Sequence, residues 1–361
     1  MKDFCMVDRR NRIFILVNGL NITCGVSSHL FFLLKEMGDF SRQNIILIAG
    51  GGNATERYRD FVNKLFIEPS VKHENRSISG FSKGVARIRQ LIKQFNPVII
   101  HSHHFYCANI AAFSRIGLSV KTLQSVHGLI PEKGILRHYH ADTIIAVNEH
   151  IAGFLNDKFK KPDRIKLVRY GYPFERTMQK QASNEKIKVI IGSRLISDKG
   201  IDTFLKAVAL LGSQSAGFTL DLAGGGAEES QFRDMGGNLP VNFLGELPDL
   251  INTLESYDVL INPTRSEMEG FPTVVIQAAS KKLAVVSTKF RGYESCLNEK
   301  NSLLVNVDDA RGIADVLLIL QNNRKLLHQK QEKIFEDFLE LFDIRQIAQK
   351  MIALYSDEGR V

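Results

Sequence analysis

Asn262-Pro-Thr-Arg-Ser-Glu-Met-Glu-Gly-Phe-Pro-Thr-Val-Val-Ile-Gln277 joins the end of an apolar strand, Val259–Asn262, to the start of a helix at Thr273. The loop carries an acid, Glu269, followed by Gly270, and the helix carries Gln277 further along. Pro272 suits the first helical turn, where its missing N–H costs nothing. The amides around Phe271, Thr273 and Val274 are then expected to point at an anion, as helix N-termini do. That layout fits a ligand in which a phosphate, a sugar hydroxyl and a ribose lie side by side.

Outward from this stretch, strands are expected at 188–191, 219–222, 241–244, 285–288 and 303–305, alternating with helical patterns. The first half repeats the scheme, with strands at 13–17, 45–49, 98–101, 122–125 and 143–147. Such alternation predicts an α/β fold of parallel sheets with helices on both faces. The pattern breaks around Tyr170-Gly-Tyr-Pro173, and the polar residues after it lack periodicity. The expected plan is two doubly wound, Rossmann-like domains, 1–174 and 187–342, facing each other across a cleft. A linker at 175–186 joins them, and a helical tail covers 343–361. Ligands of such sheets bind outside the carboxyl ends of the strands, so functional residues are expected in strand-to-helix loops.

A chain of 361 residues is too long for one core and fits two domains. No apolar run approaches the roughly 18–20 residues that span a bilayer. The charged N-terminus and the strand-length run at 13–17 argue against a secretory signal. Cys5, Cys24, Cys107 and Cys296 show no C-x-x-C pair and no metal spacing, and they read as reduced thiols of a cytosolic protein. A net charge of +8 favours anionic partners. The basic residues are dispersed, with no aromatic-interleaved stripe, so nucleic acid is not an expected partner. Over 83–95, Val85, Ile88, Leu91, Ile92 and Phe95 share one helical face, while Lys83, Arg87 and Lys93 lie off it. A solvated surface helix is the plainer reading, with docking on an anionic membrane as the alternative.

Three glycine-bearing loops follow strands: the one ending at Gly25, Ala49-Gly-Gly-Gly52 and Ala223-Gly-Gly-Gly226. None forms G-x-G-x-x-G with a downstream ribose acid, and no Walker motif occurs, which disfavours dehydrogenases and P-loop enzymes. Gly25 precedes a helix start, where it is either a phosphate contact or a turn glycine. In Gly192-Ser-Arg-Leu-Ile-Ser-Asp-Lys-Gly200, Arg194 and Lys199 stand between a strand and a helix. They either neutralise a diphosphate, Arg as a fork and Lys as a point charge, or are solvated loop charges. Neutralisation by two fixed cations, with no Asp-x-Asp motif in the chain, leads to an expectation of metal-free chemistry and no cofactor. Glu269 either accepts from sugar hydroxyls or counters a helix dipole, and Gln277 is either a ribose contact or a surface amide. His101, His103, His104 and His127 all stand at or just beyond predicted strand ends, which makes a cleft role credible. No acid or cysteine joins them at metal-ligand spacing.

Together these features resemble the retaining glycosyltransferases of family 4, which have the GT-B architecture. The resemblance runs in order through Cys24-Gly25-Val26, Val98-Ile-Ile-His-Ser-His103, Ser125-Val-His-Gly128, Gly192–Gly200, Leu222–Gly226 and the Glu-Gly-Phe-Pro block at 269–272. It implies that Arg194 and Lys199 hold the donor diphosphate, with backbone help from Gly25 and from Gly270, Phe271, Pro272 and Thr273. Glu269 would bind donor-sugar hydroxyls, Gln277 the ribose, and His127 the donor sugar from the other domain. His103 and His104 would lie on the acceptor side, and the C-terminal helix would cross back onto the first domain. Two departures stand out: Gln277 where the family usually has glutamate, and Tyr170 where it commonly has asparagine. The implied activity is metal-independent hexosyl transfer, with retention, from a nucleotide-diphosphate sugar, UDP being the expected base. The acceptor would be a saccharide, lipid-linked, in lipopolysaccharide, O-antigen, capsule or exopolysaccharide assembly, at the inner face of the cytoplasmic membrane. The alternatives are a nucleotide-sugar epimerase of the same architecture and a non-catalytic partner in an assembly complex.

Overall fold

Short runs rich in Ile, Leu and Val become the central strands of two parallel sheets. The computed structural model describes residues 12–129, 139–160, 162–177, 186–265 and 270–359. The chain divides into two compact units, Met1–Gly171 with Ile344–Val361, and Tyr172–Asp343.

The first unit contains β1 (Ile13–Val17), β2 (Ile45–Ala49), β3 (Lys64–Ile67), β4 (Ile99–Ser102), β5 (Lys121–Val126), β6 (Thr143–Ala146) and β7 (Ile165–Leu167). Its helices are α1 (Gly25–Met37), α2 (Asp39–Asn44), α3 (Ile78–Phe95), α4 (Phe105–Ser114) and α5 (Glu149–Phe159). All strands pair in parallel, in the order β3-β2-β1-β4-β5-β6-β7. Alternate residues of β1 feed opposite faces, as a period of two requires. Ile13, Ile15 and Val17 join a core with Leu30 and Leu33 of α1. Phe14 and Leu16 join another with Ile88 and Leu91 of α3 and Ile110 of α4. Such double coverage explains why the strands read as continuous apolar runs. The two strands absent from the sequence reading, β3 and β7, are the sheet edges. They are short and largely exposed, and each carries a lysine, so neither shows an apolar run.

The second unit contains β8 (Ile187–Gly192), β9 (Phe218–Ala223), β10 (Val241–Gly245), β11 (Val259–Asn262), β12 (Ala284–Thr288) and β13 (Leu303–Val305). Its helices are α6 (Ile201–Leu211), α7 (Glu229–Gly236), α8 (Leu250–Thr253), α9 (Thr273–Ser280), α10 (Ala310–Asn322) and α11 (Arg324–Phe342). Strand order is β10-β9-β8-β11-β12-β13, again parallel throughout. Ile187, Val189 and Ile191 pack with α6 and α10 on one face, while α11 packs against α9 and β12.

The boundary falls at Gly171, not at 174. Tyr172 N–H donates to the Phe342 carbonyl (2.9 Å), and the Phe174 ring lies 5.6 Å from Phe335, so these residues belong to the second unit. Of the expected linker at 175–186, residues 178–185 lie outside the described residues. A final helix, α12 (Ile344–Glu358), belongs to the first unit. Ile344, Ile347 and Met351 enter the α1-side core, and Thr143 Oγ1 donates to Glu358 Oε1 at 2.6 Å. Among the described residues no helix is long and apolar enough to cross a membrane.

Candidate active site

Each sheet reverses its winding between two neighbouring strands, and ligands of open α/β sheets bind at that switch point. In the second unit the switch lies between β8 and β11. The loops that leave their carboxyl ends are stitched together. Arg265 N–H and the Thr264 hydroxyl both donate to the Asp198 carbonyl, at 2.8 Å and 3.2 Å. The Arg265 guanidinium donates to the Ser197 carbonyl (2.7 Å) and to Asp202 and Asp308. Gly200 has φ +67°, and a Cβ there would stand 2.0 Å from the Pro263 carbonyl oxygen. The glycine loop after β9 backs the same turn: a Cβ on Gly224 would stand 1.8 Å from the Ser193 oxygen. Glu228 accepts from Ser197 N–H at 3.2 Å.

Arg194 and Lys199 are carried on this braced turn, Arg194 exposed and Lys199 half-buried. Thus the two cations stand at the carboxyl end of β8, beside the loop that leads to α9. That loop's Glu269 lies outside the described residues. Gly270, Phe271 and Pro272 are buried, and the Phe271 ring lies among Phe290, Phe338 and Phe342 at 5.8–6.0 Å. Pro272 is the residue before the helix, with ψ 113°, rather than its first helical residue. Its carbonyl accepts from Val275 N–H (3.1 Å), and the helix begins at Thr273, where the sequence places it. The amides of Thr273 and Val274, in the first turn, have no intrahelical acceptor. Gln277 is 6% exposed, which rules out the surface-amide alternative.

In the first unit the switch lies between β1 and β4. Gly25 opens α1, whose preceding loop is held by Ser27: its Oγ donates to the Gly19 carbonyl and accepts from Asn21 N–H, both at 3.1 Å. On the β4 side, His103 N–H donates to the Leu16 carbonyl at 2.9 Å. The histidines divide into distinct roles. His101 is buried with both nitrogens occupied, Nδ1 by Tyr355 OH (2.7 Å) and Nε2 by Ser125 Oγ (2.8 Å). It clamps α12 to the sheet. His104 caps α4, its Nδ1 accepting from Tyr106 N–H (3.2 Å), and burial lowers its pKa to about 4. His29 accepts from Gly171 N–H at 3.0 Å, and burial lowers it to about 4.

His103 and His127 form a pair, Nδ1 to Nε2 at 3.2 Å, with rings stacked 5.3 Å apart. His127 Nδ1 continues to Tyr170 OH at 3.0 Å. Burial pushes both histidines down, His103 to about 3 and His127 well below its ordinary value, so both rings are neutral near pH 7. Sequence reading marked Tyr170 only as a departure near the hinge, and it did not mark Arg265, Asp202 or Asp308. Their partners lie tens of residues away in the chain, so no local spacing signals them. Among the described residues, no group of three His, Cys, Asp or Glu side chains is placed to hold a metal ion.

Comparison with known proteins gives a consistent picture. Residues 24–176 match the model of Glycosyltransferase Family 4, and residues 185–323 that of Glycosyl transferases group 1. A putative colanic acid biosynthesis glycosyltransferase of Salmonella typhimurium is 24% identical over 276 residues, 68% of each chain. An N,N'-diacetylbacillosaminyl-diphospho-undecaprenol alpha-1,3-N-acetylgalactosaminyltransferase of Campylobacter jejuni is 25% identical over 60% of each chain. Among solved structures, HepE of Anabaena in complex with UDP superposes with a TM-score of 0.78 at 15% identity, covering 96% of this chain and 100% of that one. A glycosyltransferase of Rickettsia africae gives 0.77 at 17% identity, covering 97% and 99%. These structural likenesses establish the GT-B fold.

Proposed function

The chain belongs to the family 4 glycosyltransferases, and we propose that it moves a hexosyl group, with retention, from a UDP-sugar to a lipid-linked saccharide of a surface polysaccharide. The observation that carries this reading is the braced turn at the β8–β11 switch point, which holds Arg194 and Lys199 at the carboxyl end of β8. Two fixed cations and the first-turn amides of a helix match the charge that develops on a departing nucleotide diphosphate. Complexes with UDP among the structural neighbours support the choice of base.

In this reading Arg194 and Lys199 bind the diphosphate, Gln277 the ribose, and Glu269 the hydroxyls of the donor sugar. The bond from the anomeric carbon to the phosphate oxygen breaks as the acceptor oxygen attacks from the same face. The acceptor proton passes to the departing phosphate oxygen, so no side chain serves as a covalent nucleophile. Catalysis then consists of positioning and of stabilising leaving-group charge. The reading needs neither a resident metal nor an organic cofactor. Attachment to the inner membrane face would draw on the +8 net charge, and release by high salt tests that part.

The decisive experiment screens nucleotide diphosphates and nucleotide sugars for thermal stabilisation, then follows the product of the best donor by NMR. An α-linked donor giving an α-linked product supports the proposal. No stabilisation by any nucleotide sugar, or an inverted product, removes it. Interconversion of sugar nucleotides by donor alone would favour the epimerase.

A further inference from the structure

Both ring nitrogens of His127, the histidine that the family resemblance assigns to the donor sugar, are already used inside the first unit. Nδ1 meets Tyr170 OH at 3.0 Å, and Nε2 meets His103 Nδ1 at 3.2 Å. The nitrogen left over is at the end of the row. His103 is 6% exposed, and its Nε2 finds no partner among the described residues. A buried polar nitrogen without a partner is costly, and a bound oxygen or lone pair would relieve that cost.

Polarity along the row is all or none. A neutral imidazole has one N–H and one lone pair, so His127 donates at one nitrogen and accepts at the other. If Tyr170 donates to His127 Nδ1, then His127 Nε2–H donates to His103 Nδ1, and His103 carries its proton on Nε2. If the row runs the other way, His103 Nε2 is a bare lone pair. A phenol is a stronger acid than a neutral imidazole N–H, and an imidazole nitrogen is a stronger base than a phenolic oxygen. The Tyr170–His127 bond is therefore stronger in the O–H···N sense. The stacking of His127 on Tyr170, 5.5 Å apart and 14° from parallel, and the edge-on contact of His29 with Tyr170 at 5.2 Å keep the hydroxyl in place.

We propose that Tyr170 is a positioning residue: its hydroxyl sets the tautomers of His127 and His103, so that His103 Nε2–H, rather than His127, donates to an oxygen of the bound sugar ligand. The ligand in this statement rests on the transferase reading; the proton placement does not.

The test is nitrogen-15 NMR of the full chain with labelled histidine at pH 7.5. The expected result is that His127 and His103 are both protonated on Nε2 and bare on Nδ1. In Tyr170→Phe the His127 and His103 signals are expected to change to the reverse tautomer or a mixture, with the thermal transition retained. In the transfer assay kcat is expected to fall about tenfold or more, as misplacement of a binding group does, while the donor KM stays within about twofold of the wild-type value. A wild-type His127 protonated on Nδ1 overturns the proposal without any variant. So does a Tyr170→Phe chain with unchanged tautomers and unchanged kcat. If no donor supports transfer, the spectra still decide the proton placement, and the transferase reading fails separately.

Discussion

Arg265 grips Asp202 with two guanidinium nitrogens, at 2.7 Å and 2.9 Å, while the same group reaches the Ser197 carbonyl at 2.7 Å. One side chain thus ties the loop after β11 to the first turn of α6 and to the turn that carries Lys199. The pair is only partly exposed, 25% for Arg265 and 19% for Asp202, so it is worth more than a surface ion pair.

Arg265→Gln is expected to cost about 1–2 kcal/mol, since a half-buried charged network loses its hub. Lysine should not restore it, because a point charge cannot replace the fork. Urea titration measures the loss. The Arg265 hydrogen bonds hold the Asp202 carboxyl down from 3.8 to about 2. A depressed carboxyl contributes stability above its unfolded pKa, and loses it as pH falls through the folded value. The gap between wild type and variant should therefore close between about pH 4 and pH 2. A gap that persists at pH 2 would show that the pair is not its source.

Gly200→Ala is expected to destabilise by more than about 2 kcal/mol. Its left-handed backbone and the Pro263 oxygen at 2.0 Å from the new Cβ both oppose a side chain. Gly212 has a similar positive φ of +53° but open space around it, so Gly212→Ala should cost only about 1 kcal/mol. Equal losses in the two variants would refute the role given to the Pro263 contact.

Arg194→Ala and Lys199→Ala should each lower kcat about a hundredfold or more, with the thermal transition of the free protein unchanged. Both side chains stand on the turn after β8 and neither is buried, so a truncated side chain leaves no cavity in a core. Stabilisation by UDP should shrink in both. Activity retained by either variant would remove that cation from the site.

Gln277→Glu separates binding from folding. A charged acceptor to a ribose hydroxyl is worth about 1 kcal/mol more than a neutral one, so donor affinity should rise about fivefold. The free protein should lose stability, because the new carboxylate is 94% buried by the measure of Gln277's 6% exposure. Calorimetry and unfolding read the two effects independently, and unchanged donor affinity would dismiss the ribose assignment.

Acid should weaken the first unit before its carboxylates titrate. Burial holds His29 at about 4, so the unfolded chain binds its proton from pH 6.5 downward while the folded chain does not. Stability is then full above pH 6.5 and falls as pH drops towards 4, by about 3 kcal/mol for this residue alone. Urea titrations at pH 7 and pH 4.5 on wild type and His29→Gln measure it. Identical pH slopes in the two chains would contradict a buried neutral His29.

The amino-acid order alone determined most of the architecture. Alternating apolar runs and helical stripes are local patterns, and parallel strands covered on both faces read as near-continuous apolar runs. That is why β1, β2 and β11 were legible to the residue. It is also why the edge strands β3 and β7 were not, since they bury too little to leave a signature. Candidate residues could be located at strand ends by the same logic, but their partners could not. His101 meets Tyr355 across 254 residues, and His127 meets Tyr170 across 43. Such bonds depend on which loops the sheet order brings together, and a hydrogen bond is decided within a few tenths of an ångström. Only the folded chain could turn His101 into a clamp and direct attention from His127 to His103 and Tyr170.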